Sequence, residues 1–137
     1  MQRKKVLLVE SNPALATALS HRLETAGYQI ILARNIGEAL SKLVCRRPDI
    51  SLIDINLPND EGFSLAQQIY SNPNSPGTPF VFITAGSASA NIERATRFGP
   101  VAILQQPINP AALITAIEQS PYSTGEFAAR MPGKKAA

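Results

Sequence analysis

One cysteine, Cys45, and one histidine, His21, are all that the 137 residues offer of the two side chains that most readily cross-link or hold transition metals. A lone thiol excludes an internal disulfide framework and makes a reducing cytosol the natural home. With no second His or Cys near it, His21 reads as a surface residue of a helix, and Cys45 as a small packing residue. Long apolar runs are missing too. The N-terminus, Met1 to Glu10, is basic and then apolar for only four residues, which makes a strand rather than a signal peptide or a membrane span. Neither a Gly-rich dinucleotide fingerprint nor a P-loop follows any apolar run, which removes the main support for a nucleotide-binding sheet.

A concentrated basic face is also absent. The net charge is +3, but Arg130, Lys134 and Lys135 against Glu126 place +2 of it beyond Pro121, so the body is nearly neutral. Binding along a phosphate backbone needs a clustered basic face, and no helix-turn-helix pattern follows the last helix. No nucleic-acid contact by this domain and no membrane contact are therefore expected. Arg3-Lys4-Lys5 and Arg46-Arg47 read as solvated ends of elements.

With 45% hydrophobic residues at this length, one domain with a real core is expected. Val6 to Val9 reads as a first buried strand. Asn12-Pro13 then supplies an N-cap and a first-turn proline to a helix carrying Leu15, Leu19 and Leu23, closed by Gly27. Tyr28 to Ala33 is a second strand, and Asn35 with Glu38 resembles a capping box for a helix with Ile36, Ala39, Leu40, Leu43 and Val44 on one face. Pro48 stops that helix before a third strand, Ile50 to Asp54. Turn residues from Pro58 to Gly62 lead into a short helix through Phe63, Leu65, Ala66 and Ile69. After a loop over Asn72 to Pro79, Phe80 to Ile83 forms a fourth strand. Ala88 to Phe98 is read as a helix whose weak apolar face makes it the least firmly held. Val101 to Leu104 is a fifth strand, and Asn109-Pro110 opens a last helix through Leu113, Ile114 and Ile117. This alternation predicts an α/β fold, a parallel sheet with helices on both faces. Residues 1–120 are expected to form the domain and 121–137 a flexible tail or the start of a linker.

Open α/β sheets place their ligand sites at the carboxyl ends of the strands, and there Glu10-Ser11, Asp54, Thr84 and Gln106 all fall. This set, with Leu57-Pro58 after the central Asp and Pro107 after Gln106, resembles the receiver domain of bacterial response regulators over residues 4–119. The resemblance implies a flavodoxin-like doubly wound (βα)5 fold with a five-stranded parallel sheet in the order 2-1-3-4-5, and a cis Gln106–Pro107 bond. It implies that Asp54 accepts a phosphoryl group from a sensor histidine kinase or phosphotransfer protein. Mg²⁺ would be held by Glu10, Asp54 and the main-chain carbonyl of Asn56, while Thr84 and the residue at position 106 contact the phosphoryl group. Output is expected through the fourth and fifth helices and the last strand, towards an output partner or in a homodimer, in the cytoplasm, with no turnover of an external substrate. The physical need is that the transferring group spreads negative charge over three oxygens, so positioning and neutralisation supply most of the catalysis.

The chain departs from the family pattern in three places. Ser11 replaces the second acidic residue, Gln106 stands where a Lys belongs, and Ile103 takes the place of the aromatic that reports the receiver's state. The local charge balance survives, because one carboxylate and one ammonium are lost together. Metal binding is expected to be weaker and phosphoryl transfer slower, since Mg²⁺ loses a hard ligand and the amide of Gln106 brings no charge. Two functions compete on these grounds: an inefficient, Mg²⁺-assisted phosphoacceptor, and a degenerate receiver acting as a phosphorylation-independent interaction module.

Overall fold

The computed structural model describes residues 4–71, 78–86 and 89–119. All five expected strands form: β1 (Lys5–Val9), β2 (Gln29–Ala33), β3 (Ile50–Asp54), β4 (Phe80–Thr84) and β5 (Ala102–Gln105). They alternate with α1 (Pro13–Thr25), α2 (Ile36–Arg46), α3 (Glu61–Ser71), α4 (Ser89–Thr96) and α5 (Pro110–Gln119). Every pairing is parallel, in the order β2-β1-β3-β4-β5. The central place of β3 accounts for its unbroken apolar character: both faces are covered, and all its residues from Ile50 to Asp54 are buried.

Period-2 alternation divides the core in two. Val6, Leu8, Ile50, Leu52, Val81 and Ile83 point to the side covered by Ala16, Leu19 and Leu23 of α1 and Leu113, Ala116 and Ile117 of α5. Leu7, Val9, Ile53 and Phe82 point the other way, against Leu43 of α2, Phe63 and Ile69 of α3 and Ala95 of α4. The helices start where capping chemistry allows. Asn12 Oδ1 accepts from the N–H groups of Ala14 and Leu15 at 2.9 and 3.2 Å, and Asn109 Oδ1 from those of Ala111 and Ala112 at 2.8 and 3.2 Å. Asn35 Oδ1 accepts from Glu38 N–H at 2.9 Å, while Glu38 reaches back to the N–H of Arg34, one residue earlier than in a regular capping box. Gly27 closes α1 at φ +99°, and the Gln106–Pro107 bond is cis.

Several expectations need correction. Val44 is 71% exposed and Cys45 is exposed as well, so neither packs. The buried stripe of α2 is only Ala39 and Leu43; at 3.6 residues per turn Val44 lies about 100° round from Leu43, beyond the strip that β2 and α3 cover. Lys4 is no solvated end: its Nζ donates to Ile117 O at 3.0 Å, serving a carbonyl in the last turns of α5. The fourth helix is shorter than its pattern suggests, though Phe98 beyond its end still packs against the core. The expected tail, 121–137, and residues 72–77 of the expected loop lie outside the described residues.

Sequence reasoning marked α4 as weakly held, yet it has a specific anchor. Arg94 donates to both carboxylate oxygens of Asp60 at 3.1 and 2.7 Å, and its guanidinium lies 4.0 Å from the centre of the Phe63 ring. Asn59 and Asp60 adopt φ of 59° and 61°, turning the chain so that Asp60 meets α4. Both partners are half-exposed, which discounts the ion pair, so the bridge and ring contact together are worth about 1 kcal/mol. Arg94→Ala is expected to lower the urea midpoint accordingly, with Arg94→Lys intermediate because it keeps the charge and loses the planar fork. Equal midpoints for all three proteins would contradict this account.

Candidate functional site

Glu10 continues the ladder one residue past β1, its N–H donating to Ala33 O at 3.0 Å. Its side chain is 1% exposed; Oε2 accepts from Asn12 N–H at 3.1 Å, whereas Oε1 is buried with no partner. Asp54 ends β3 at 6% exposure, with Oδ1 accepting from Asn56 N–H at 2.8 Å. The two carboxyl groups face each other. Burial first, then the neighbouring Asp54 carboxylate, pushes Glu10 from 4.5 up to about 7, against a smaller pull from the N–H groups of Asn12 and Ser11. Ionised, both groups can only accept, and Glu10 Oε1 is orphaned; protonated, Glu10 donates to Asp54. A proton or a cation between them resolves the conflict.

The surrounding main chain holds this pair closely. A Cβ at Gly62 would stand 2.4 Å from Asp54 O and 3.1 Å from Ile55 Cα, so α3 begins directly against the backbone of Asp54 and only glycine fits there. Asn56, expected to contribute its carbonyl, has a second role that sequence reasoning missed. Its Oδ1 accepts from Ala85 N–H at 2.8 Å, tying the loop after β3 to the loop after β4. An Asn in a turn is too common a sight to have signalled this.

Thr84 ends β4 buried, its hydroxyl donating to Gly86 O at 3.1 Å and accepting from Gly86 N–H at 3.3 Å, so it is spent within its own loop. Gln106 joins the same edge through its main chain, N–H to Thr84 O at 2.8 Å, while its side chain makes no hydrogen bond among the described residues. Ser11 is half-buried beside Glu10. Ile103 is half-buried and packs against the core on the α3–α4 side, near the edge-to-face pair Phe63–Phe82 with centroids 5.6 Å apart. The structure thus brings Glu10, Asp54 and Asn56 together and sets Thr84 and Gln106 along the same rim. Among the described residues no cluster of three or more His, Cys, Asp or Glu side chains converges on a point.

Comparison with known proteins gives one family. The model for the response regulator receiver domain matches residues 6–118. A probable chemotaxis protein CheY of Rhizobium etli is 29% identical over 118 residues, which cover 85% of this chain and 92% of that protein. The transcriptional regulatory protein YxdJ of Bacillus subtilis is 29% identical over 131 residues, 95% of this chain and 56% of that protein. The chain therefore spans little more than half of YxdJ, and the same holds for PhoB of Pseudomonas aeruginosa at 55%. Among solved structures, a CheY-like receiver domain protein from Methanospirillum hungatei superposes with a TM-score of 0.76 at 27% identity, covering 86% of this chain and 93% of that one. The chemotaxis protein CheY4 of Vibrio cholerae does so with a TM-score of 0.77 at 26% identity, covering 86% and 98%. Sheet order, the acid site at the strand ends and the family match over nearly all the described residues lead to one conclusion: this chain belongs to the response regulator receiver domain family of two-component systems.

Proposed function

We propose that Asp54 accepts a phosphoryl group from a histidine kinase or phosphotransfer partner in the cytoplasm, inefficiently beside a receiver with a full acidic pair and a lysine. The observation that carries this reading is the buried Asp54 carboxylate facing a Glu10 oxygen that has no partner. Asn56 N–H holds Oδ1 and so fixes the rotation of the carboxylate, leaving Oδ2 to attack. The new bond joins Oδ2 to phosphorus as the donor's phosphorus–nitrogen bond breaks. The electron pair remains on the imidazole nitrogen, which is neutral on departure.

Receiver domains generally bind Mg²⁺ at this acidic site. Glu10, Asp54 and the carbonyl of Asn56 are hard oxygen donors, and a buried acceptor without a donor suits such an ion, although Ser11 leaves one carboxylate fewer. Bound there, the ion supplies neutralisation of the charge on the transferring oxygens. The folded unit is taken as residues 1–120, with output through α4, β5 and α5 to a partner or a second copy.

The test is to titrate the protein with Mg²⁺, add a small phosphodonor or beryllofluoride, and follow the amides around Asp54 by NMR with Asp54→Asn as control. Shifts that spread from Asp54 to Thr84 and Ile103, absent in the control, are expected. Ser11→Asp should tighten Mg²⁺ binding about tenfold by restoring a ligand. Gln106→Lys should speed phosphorylation by restoring a charge-assisted contact. No response at millimolar Mg²⁺ would remove the phosphoacceptor reading. The second reading, an interaction module that works without phosphorylation, is favoured by the Thr84 hydroxyl turned onto Gly86. It becomes the surviving account in that event.

A further inference from the structure

The face that α3 turns to water carries no charge. Its exposed residues, Ser64, Gln67, Gln68 and Ser71, are all neutral, where surface helices usually carry acids and bases. Glu61, the one charged residue of α3, is turned away to accept from Ile36 N–H at 2.8 Å. Between α3 and α4 lie two open hollows of about 350 and 360 Å³. Gln67, Tyr70, Arg94, Arg97 and Phe98 line the first; the second shares Gln67, Arg94 and Phe98 and reaches Phe63, Ser64 and Gln68. They therefore form one groove, bordered among the described residues by two guanidinium groups and three aromatic rings and by no carboxylate. Its floor is already set, because the Phe98 ring stacks on Phe63 at 5.9 Å and meets Phe82 edge-on at 6.3 Å.

We propose that this groove docks an acidic segment of a partner protein, which seats an aromatic or leucine side chain on Tyr70 and Phe98 and a carboxylate on Arg97. The two arginines differ in what they can offer. Asp60 occupies one donor on each terminal nitrogen of Arg94 and offsets its charge, so Arg94 brings the groove its remaining N–H donors. Arg97 brings charge: its contact with Glu93 is 3.9 Å long between side chains 76% and 75% exposed, a pair too weak to hold it back. Arginine with tyrosine and phenylalanine, beside a surface thinned of acids and lysines, is the composition of interface centres. A floor fixed beforehand also spares a partner the cost of ordering it. Gln67 and Gln68 supply amide groups for the partner's main chain. No residue of β5 or α5 lines the groove among the described residues, so it lies apart from most of the surface proposed for output and shares only α4 with it. Nothing in the docking calls on Asp54, and the proposal holds under either reading of the acid site.

The experiment pans a phage library of random dodecapeptides over the full chain, then measures the selected peptides on wild type, Arg97→Glu, Gln68→Glu and Arg22→Glu. All three positions are exposed, so the variants keep the fold, which equal urea midpoints verify. Arg22, on α1, lies outside the groove and makes the same change of net charge as Arg97. Selected peptides should be acidic and carry an aromatic residue or leucine. They should shift the amides of Gln67, Tyr70, Arg97 and Phe98, lose about tenfold in affinity on Arg97→Glu and less on Gln68→Glu, and bind Arg22→Glu as they bind wild type. Added salt should weaken them. No enrichment, enrichment of neutral or basic peptides, or acidic peptides that shift amides elsewhere overturns the proposal. So does an equal loss on Arg97→Glu and Arg22→Glu, which would mean attraction to net charge alone. Shifts of the same amides on concentrating the protein by itself would assign the groove to a second copy and overturn it too.

Discussion

Asp54→Asn is expected to end phosphoryl acceptance and, above neutral pH, to make the folded protein more stable by about 2 kcal/mol. The second effect follows from Glu10. Its carboxyl is raised from 4.5 in the unfolded chain to about 7 in the fold, so between these values the folded state binds more protons than the unfolded one. Stability is therefore full below pH 4.5, falls as pH rises across that window, and the contribution is gone above pH 7. At 1.36 kcal/mol per unit the loss is on the order of 3 kcal/mol. Burial is the first cause and remains in the variant, but the hydrogen bond and charge of Asp54 do not. The new amide also gives the orphaned Oε1 a donor. Urea unfolding of both proteins at pH 5 and pH 8 decides the matter: equal losses of stability between the two pH values would refute the coupling. Millimolar Mg²⁺ added to wild type at pH 8 should recover part of the deficit, since a ligand of the folded state stabilises it by mass action.

Gly62→Ala should cost about 3 kcal/mol, the price of forcing backbone apart rather than repacking a side chain. Its Cβ would meet Asp54 O at 2.4 Å, and that carbonyl has no freedom to yield. Ile55 N–H is bonded to Ile83 O at 2.8 Å and Leu57 N–H reaches Asp54 O at 3.4 Å, so the end of β3 is fixed from both sides. Relief must come from a shift of α3, which carries Phe63 and Leu65 out of their packing. The site suffers with the fold, because the carboxylate rotation set by Asn56 depends on the same few residues. Gly37→Ala is the control: its Cβ meets only Asn35 Oδ1 at 3.4 Å, and a small gain from reduced freedom of the unfolded chain is expected. Denaturant midpoints that rank the two substitutions together would disprove the steric account.

The fold was legible because each element carried its own local signal. Buried strands of a parallel sheet need no polar positions, and asparagine followed by proline and then an apolar helical repeat signals a capped helix start, as at Asn12 and Asn109. Glu10, Asp54 and Gln106 could be placed at strand ends for the same reason. What remained hidden depends on distance in the chain. Arg94 and Asp60 are separated by 34 residues and meet only because two residues before α3 take left-handed backbone. Asn56 finds Ala85 only after β3 and β4 have paired. The exposure of Val44 was hidden differently. A helix wheel gives the direction of a residue but not the width of the surface that will cover it.

The division of the core has a consequence for how the chain is made. β2, β1 and β3 come from residues 29–33, 5–9 and 50–54, so three adjacent strands exist once the first half has been synthesised. The side of that half-sheet bearing Val6, Leu8, Ile50 and Leu52 also takes Leu113, Ala116 and Ile117 from α5. Until α5 emerges from the ribosome, part of this greasy surface has only α1 over it, for as long as some sixty further residues take to be translated. The nascent protein is thus most prone to aggregation with β3 already paired and α5 still unmade.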